Sequence, residues 1–235
     1  MIPKKIHYCW FGGEKLPNSV KKNIESWKKY CPDYEIVRWD ESNFDVNSNE
    51  FVREAYAAKA WAFVSDYVRL KVVYDNGGVY LDTDVELIKN IDHLLSDNSY
   101  FFEHQGVHLV ATGLGFGAVK GSEAVNCMLG EYNNLNFSLD KKEELACPRL
   151  NTRALKKLGF KYSNKILRNE WGVVYPPKYA DPYTLGQSEN LRCAETVSIH
   201  HYDASWTGII NRVKLKLYRK IGMDKIIQIK KLLNR

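Results

Sequence analysis

A helical stripe stops on a double glycine, runs into three apolar residues and ends on two acids. This string constrains the chain more than any other. Phe63, Tyr67, Leu70 and Tyr74 stand three or four apart, as do Val64, Val68 and Val72, so the pattern over residues 50–75 predicts mostly helix. Asn76-Gly77-Gly78 ends it, because glycine takes the left-handed cap without a side-chain clash. Val79-Tyr80-Leu81 then reads as a short strand leading into Asp82-Thr83-Asp84-Val85. The N-terminal stretch alternates in the same way. Lys5 to Phe11 predicts a strand, and Leu16 to Tyr30 an amphipathic helix between Pro17 and Pro32, with Val20, Ile24 and Trp27 on one face. Tyr34 to Trp39 predicts a second strand. Strand, helix, strand is the start of an α/β layer.

Further strands are expected at Tyr100 to Glu103, Leu109 to Val119 (glycine-rich), Val173 to Tyr175 and Val197 to His201, with a helix at Ser122 to Tyr132 capped by Ser122. The 235 residues are 45% apolar and 26% charged. That suits one domain with a core needing no covalent staples, and excludes disordered and fibrous classes. No apolar run is long enough for a membrane-spanning helix. The opening residues are too short and polar a stretch for a signal peptide, so a cytoplasmic location is expected. Cys9, Cys31, Cys127, Cys147 and Cys193 are odd in number, scattered and without C-x-x-C spacing. They argue against a disulfide framework or a zinc site, and are expected as reduced thiols, mostly buried or half-buried.

The net charge of +6 is unevenly placed. Residues 212–235 hold nine basic side chains against one acid, which leaves the rest of the chain slightly acidic. The division expected is a domain over 1–211 and a basic amphipathic segment over 212–235. Its interleaved leucines, isoleucines and lysines fit two readings: a helix on an anionic bilayer, or a helix packed on the domain or a second subunit. No recognition motif for nucleic acid is present, so nucleic acid is not expected as a partner.

Two carboxylates two residues apart at a strand end, Asp82 and Asp84, reach one hard cation together and leave it positions for phosphate oxygens. Taken bare, such a pair also caps elements or sits in solvent. Just upstream, Asp66 and Arg69 are three apart on the helix and share a face. An acid there accepts bonds from sugar hydroxyls and a guanidinium offers its planar fork to phosphate, although an ordinary ion pair uses the same spacing.

The run Ser65-Asp66-Tyr67-Val68-Arg69-Leu70 through Val72-Val73-Tyr74-Asp75-Asn76-Gly77-Gly78-Val79-Tyr80-Leu81-Asp82-Thr83-Asp84-Val85 resembles the DXD sugar-binding region of family 32 glycosyltransferases, a group of yeast-type initiating mannosyltransferases, α-galactosyltransferases and bacterial polysaccharide enzymes. Ile2-Pro3-Lys4-Lys5-Ile6-His7 with Trp10, Gly12 and Gly13 is similar to that family's opening. The likeness is strong over residues 2 to about 90 and patchy beyond. It implies an α/β fold of GT-A type: one domain with a mixed, mostly parallel sheet flanked by helices, plus the basic C-terminal helical tail. It implies a hexosyltransferase with a nucleotide-sugar donor, a UDP-sugar favoured, and a divalent ion, Mn2+ or Mg2+.

Carried over residue by residue, Asp82 and Asp84 match the metal pair, and Asp66 and Arg69 the residues that hold the donor's sugar or ribose and its phosphate. Ser65 is expected to add a polar contact and Trp10 to stack on the base. Tyr80 is open between a sugar contact and the core. Ser205 and Trp206 match residues that contact the diphosphate in some relatives. A late histidine is expected to complete the metal shell. His200 and His201 alternate on a strand, so one faces the site, and His201 is favoured because it adjoins the loop to Ser205. His7, His93, His104 and His108 have no such context and read as structural.

Two departures concern the acceptor side: no asparagine stands within Ala111 to Gly117, and Cys147-Pro148-Arg149 replaces a T-G-P run. The function expected is retaining, metal-dependent sugar transfer to a glycan or lipid-linked glycan acceptor in cell-surface polysaccharide synthesis, in the cytoplasm at the inner face of the membrane. The alternatives are a catalytically weak nucleotide-sugar or carbohydrate-binding protein and a haloacid dehalogenase-type phosphatase. The phosphatase also sets D-x-D after a strand, but wants Thr or Val where Glu86 stands.

Overall fold

The computed structural model describes residues 1–183 and 189–203. Ser205, Trp206 and the segment 212–235 lie outside these. The chain runs β1 (Lys5–Cys9), α1 (Asn18–Tyr30), β2 (Glu35–Trp39), α2 (Glu50–Ala57), α3 (Trp61–Asn76), β3 (Gly78–Tyr80), β4 (Val85–Leu87), β5 (Ser99–His104), β6 (Leu109–Val110), β7 (Phe116–Ala118), α4 (Glu123–Gly130), α5 (Cys147–Lys157), β8 (Leu167–Asn169), β9 (Gly172–Tyr175) and β10 (Ser198–His200). Seven strands order as β2-β1-β3-β7-β5-β9-β8, with β6 on β5. Five of them, β1, β2, β3, β5 and β9, run one way, and β7, β8 and β6 oppose them.

Alternation along the strands feeds two cores. Ile6, Val79, Tyr100, Phe102 and Val173 face one layer with Val20, Ile24 and Trp27 of α1, while Tyr80, Phe101, Phe116 and Val174 face the other with α2 to α5. This is the helix-covered sheet expected of a βαβ start.

Three features differ from the sequence reading, each for a local reason. The helical pattern over 50–75 splits into α2 and α3, because Lys59 takes φ +54° and Ala60 starts a new helix. The strand expected over 109–119 breaks into β6 and β7 around a 3-10 turn at Thr112–Leu114. The run after Leu81 turns rather than continuing, with the Val85 N–H donating to the Asp82 carbonyl at 3.0 Å. All five cysteines are free; Cys9, Cys31 and Cys147 are buried and Cys127 and Cys193 half-buried.

The double glycine is required where it stands. Gly77 caps α3 at φ +68°, its N–H donating to the Val73 carbonyl. Gly78 has φ +115°, and a Cβ there would lie 2.9 Å from both His7 Nε2 and the Lys5 carbonyl. Only glycine lets α3 drop at once into the centre of the sheet, which fixes where Asp82 emerges.

Candidate active site

The turn Asp82-Thr83-Asp84 joins β3 to β4 and is clamped from behind by α1. Asn23 Nδ2 donates to the Thr83 carbonyl at 2.9 Å, Trp27 Nε1 to the Val85 carbonyl at 2.8 Å, and the Leu87 N–H to Ser26 Oγ at 3.0 Å. Trp27 is fully buried. One helix face thus holds both the core and the carbonyls of the acid turn.

On its front, β10 pairs antiparallel with β4, setting His200 opposite Val85. The His201 N–H donates to the Asp84 carbonyl at 2.8 Å and the Asp203 N–H to Asp84 Oδ2 at 3.0 Å. His200 Nε2 lies 3.1 Å from Asp84 Oδ1. Ligand atoms of Asp82, Asp84 and His200 all fall within 4.8 Å of one another. The two histidines do alternate, but the choice between them is corrected: His201 faces away and pairs with Glu86 at 2.8 Å. The register of β10 on β4 decides this.

Arg69 is the hub beside the acids. Its Nη2 is 3.0 Å from Asp66 Oδ1 and 3.0 Å from Asp82 Oδ1. Its Nε donates to the Ser65 carbonyl, Nη2 to Ser65 Oγ at 3.2 Å, and Nη1 lies 3.7 Å from Cys147 Sγ. Tyr80 is core and site at once. Its ring lies 5.0 Å from the guanidinium and its hydroxyl donates to Asp82 Oδ1 at 2.9 Å, so Asp82 holds that hydroxyl. Gly113 closes the arrangement: a Cβ there would come 2.6 Å from Asp82 Oδ2 and 3.1 Å from Arg69 Nη1.

The two acids are shifted in opposite directions. Burial pushes the Asp82 carboxyl up, and Arg69, which Asp82 shares with Asp66, offsets part of that. Burial opposes ionisation of Asp84 too, but His200 and the Asp203 N–H outweigh it and hold the carboxyl at about 2. Burial lifts Asp66 to about 6 against the pull of Arg69. His200 is raised despite its burial, because Asp84 faces it. Carboxylate oxygens with one imidazole suit manganese or magnesium, so the residues present fit the divalent ion that the resemblance implies.

Two cavities meet at Arg69 and Asp82. The first, about 310 Å³, is lined by Trp10, Phe11, Trp61, Ser65, Tyr80 and the acid turn. Trp10 Nε1 donates to the Glu14 carbonyl at 2.6 Å, which fixes the ring at its edge. The second, about 280 Å³, is lined by Asp66, Cys147, Pro148, His104, His200 and Tyr202 among others. The structure therefore gathers Trp10, Ser65, Asp66, Arg69, Tyr80, Asp82 and Asp84 and leaves out His201. Reading the sequence did not point to Trp61, Gly113, His104 or Tyr202, whose positions depend on distant segments.

A sheet of this order, with two acids leaving the inner strand β3 beside a cavity, is the arrangement of the GT-A fold. The solved structure of the PaToxG glycosyltransferase has this fold, aligning with a TM-score of 0.55 at 20% identity over 67% of this chain and 69% of that one. Residues 17–101 match the model of the glycosyltransferase sugar-binding region containing the DXD motif. An uncharacterized glycosyltransferase of Acanthamoeba polyphaga mimivirus is 30% identical over 107 residues, covering 43% of each chain. Inositol phosphoceramide mannosyltransferase 3 of Schizosaccharomyces pombe is 32% identical over 106 residues, 40% of this chain and 27% of its own. The chain thus spans less than half the length of these curated relatives.

Proposed function

We propose that the chain transfers a sugar from a nucleotide-sugar donor, a UDP-sugar by preference, to a hydroxyl of a glycan or lipid-linked glycan. Asp82, Asp84 and His200 would hold a divalent ion, manganese or magnesium. The observation that carries this reading is the convergence of those three side chains, two of which, Asp82 and Asp84, line a cavity together with Trp10, Phe11 and Trp61.

In the transfer the acceptor oxygen bonds to the anomeric carbon and the bond from that carbon to the diphosphate oxygen breaks. The electron pair leaves on the diphosphate, and the hydroxyl proton passes to a departing phosphate oxygen. We assign this a same-face course, with retention. A bound divalent ion would offset charge on the leaving group. Arg69 supplies a second, permanent positive charge. Ser65 and Asp66 fix its fork in advance, so little reorganisation accompanies reaction. Trp10 and Trp61 offer ring faces to the base, and Asp66 an acceptor for a sugar hydroxyl.

The reading extends to cell-surface polysaccharide synthesis at the inner face of the membrane, with the nine basic residues of 212–235 as the contact. The lipid substrate in the name of the fission-yeast relative supports a lipid-linked acceptor. The test is hydrolysis of a panel of nucleotide sugars with manganese. Hydrolysis that chelator abolishes, and that Asp84→Asn reduces by about 10²–10³, is expected. Wild-type rates under chelator or in Asp84→Asn contradict the ion-dependent reading.

A further inference from the structure

The second cavity presents carbon over most of its surface, although several polar side chains line it. Those side chains are turned onto one another. Asp66 Oδ1 and Asp82 Oδ1 each lie 3.0 Å from Arg69 Nη2, and His200 Nε2 lies 3.1 Å from Asp84 Oδ1. His104 Nδ1 is 2.9 Å from the Gln105 carbonyl and Nε2 3.3 Å from the Tyr202 oxygen, whose hydroxyl donates to Asp181 Oδ1 at 2.6 Å. The rest of the lining includes Phe63, Ala111, Leu114, Ala146 and Pro148.

These apolar residues stand beside the guanidinium. Cys147 Sγ, between Ala146 and Pro148, lies 3.7 Å from Arg69 Nη1. Gly113, in the turn from Ala111 to Leu114, is so near that a Cβ on it would come 3.1 Å from the same nitrogen. Phe63 is one turn before Asp66 on α3. A donor whose diphosphate sits with the ion at Asp82 and Asp84 brings its sugar against these segments. A ring hydroxyl turned onto such a wall loses its water partners and gains none, whereas a methyl group gains by leaving water. Asp66 with Arg69 remains as the polar edge for a ring hydroxyl. At about 280 Å³ the cavity lies near the low end of ligand pockets, with room for one substituted ring. It is open to solvent, so an acceptor reaches the sugar there.

We propose that the second cavity holds the transferred sugar, and that this sugar carries a methyl-ended substituent, an acetamido group or the methyl of a 6-deoxy ring, where a plain hexose carries a hydroxyl. The turn from Ala111 to Leu114 and the start of α5 at Ala146 and Pro148 are then its specificity wall. The bonds made and broken are those of the transfer above. The proposal rests on the glycosyltransferase reading and narrows its donor.

The test uses the full chain with manganese and no acceptor, so that only the donor side is read. UDP release is compared for UDP-glucose, UDP-galactose, UDP-N-acetylglucosamine, UDP-N-acetylgalactosamine and UDP-6-deoxyglucose, which share one base. The best methyl-bearing donor is expected to exceed both plain hexose donors at least about tenfold in kcat/KM, as for a group that fills an apolar pocket. Which arm is best, acetamido or 6-deoxy, identifies the substituent. Ala146→Leu, which takes up room in the cavity, is expected to lower that ratio at least about fivefold. If Ala146→Leu does not fold, the wild-type panel carries the test. A plain hexose donor within tenfold of the best, or a ratio that Ala146→Leu leaves in place, overturns the proposal while sugar transfer stands. A wild-type chain that turns over no nucleotide sugar overturns the transferase reading itself, a separate result.

Discussion

The two cavities that meet at Arg69 and Asp82 are assembled in opposite ways. The first takes its whole lining from residues 9 to 84, through β1, α3 and the turn after β3. The second draws on six separated segments, from Ala62 to Tyr202. The first cavity is thus a local property of the N-terminal 84 residues, whereas the second exists only once β5, α5 and β10 have packed. A substitution on the first side should act on the donor alone, and one at the junction on both.

Gly113→Ala breaks the junction. Its Cβ would press Asp82 Oδ2 and Arg69 Nη1 apart, and a displacement near an ångström at a reacting centre costs about 10²-fold. Donor hydrolysis and transfer should fall together by about that factor. A loss confined to one of them would mean that the cavities do not share this wall.

Trp10→Ala sharpens the contrast. Loss of base stacking, about 1–3 kcal/mol, should raise donor KM by about 5- to 150-fold and leave acceptor KM in place. Equal movement of both KM values would refute the division. Trp27→Phe keeps an aromatic ring in the core but removes the donor to the Val85 carbonyl behind the acid turn. A stability loss of about 1–3 kcal/mol in urea unfolding is expected.

The smallest effect concerns His7, beneath the double glycine. Trp39 Nε1 donates to its Nδ1 at 3.1 Å, so the neutral ring carries its proton on Nε2 and donates to the Gly77 carbonyl at 2.9 Å. Burial holds its pKa below the usual 6.5. The unfolded chain therefore takes up a proton first as pH falls. This contribution to stability is present above 6.5 and is lost as pH drops through the lower folded-state value. Urea midpoints compared between pH 7.5 and 5 should fall less in His7→Gln than in wild type. An identical fall would remove His7 from the account.

The same contrast explains what the sequence made legible. The helix stop, the buried strand and the acids after it follow from adjacent residues, so Asp66, Arg69, Asp82 and Asp84 could be brought together from the one-dimensional pattern. The alternation of His200 and His201 was legible as well, but not which of them faces Asp84. That depends on the pairing of His200 with Val85 across more than a hundred residues, and on Glu86 taking His201. The contacts of His104 with Asp181 and Tyr202 were not legible, because those partners are far along the chain. The clamp of α1 on the turn left only a faint mark. Asn23, Ser26 and Trp27 fall on one helical face, and nothing in their spacing says that they bind carbonyls and an amide of β4.

Manganese binding followed by electron paramagnetic resonance, with UDP present, tests the central claim most directly. The account predicts one tightly held ion per chain, lost in Asp84→Asn and in His200→Ala and retained in His201→Ala. An ion that survives His200→Ala and Asp84→Asn, or one that departs with His201→Ala, would contradict the assembly of Asp82, Asp84 and His200 into a single cation site.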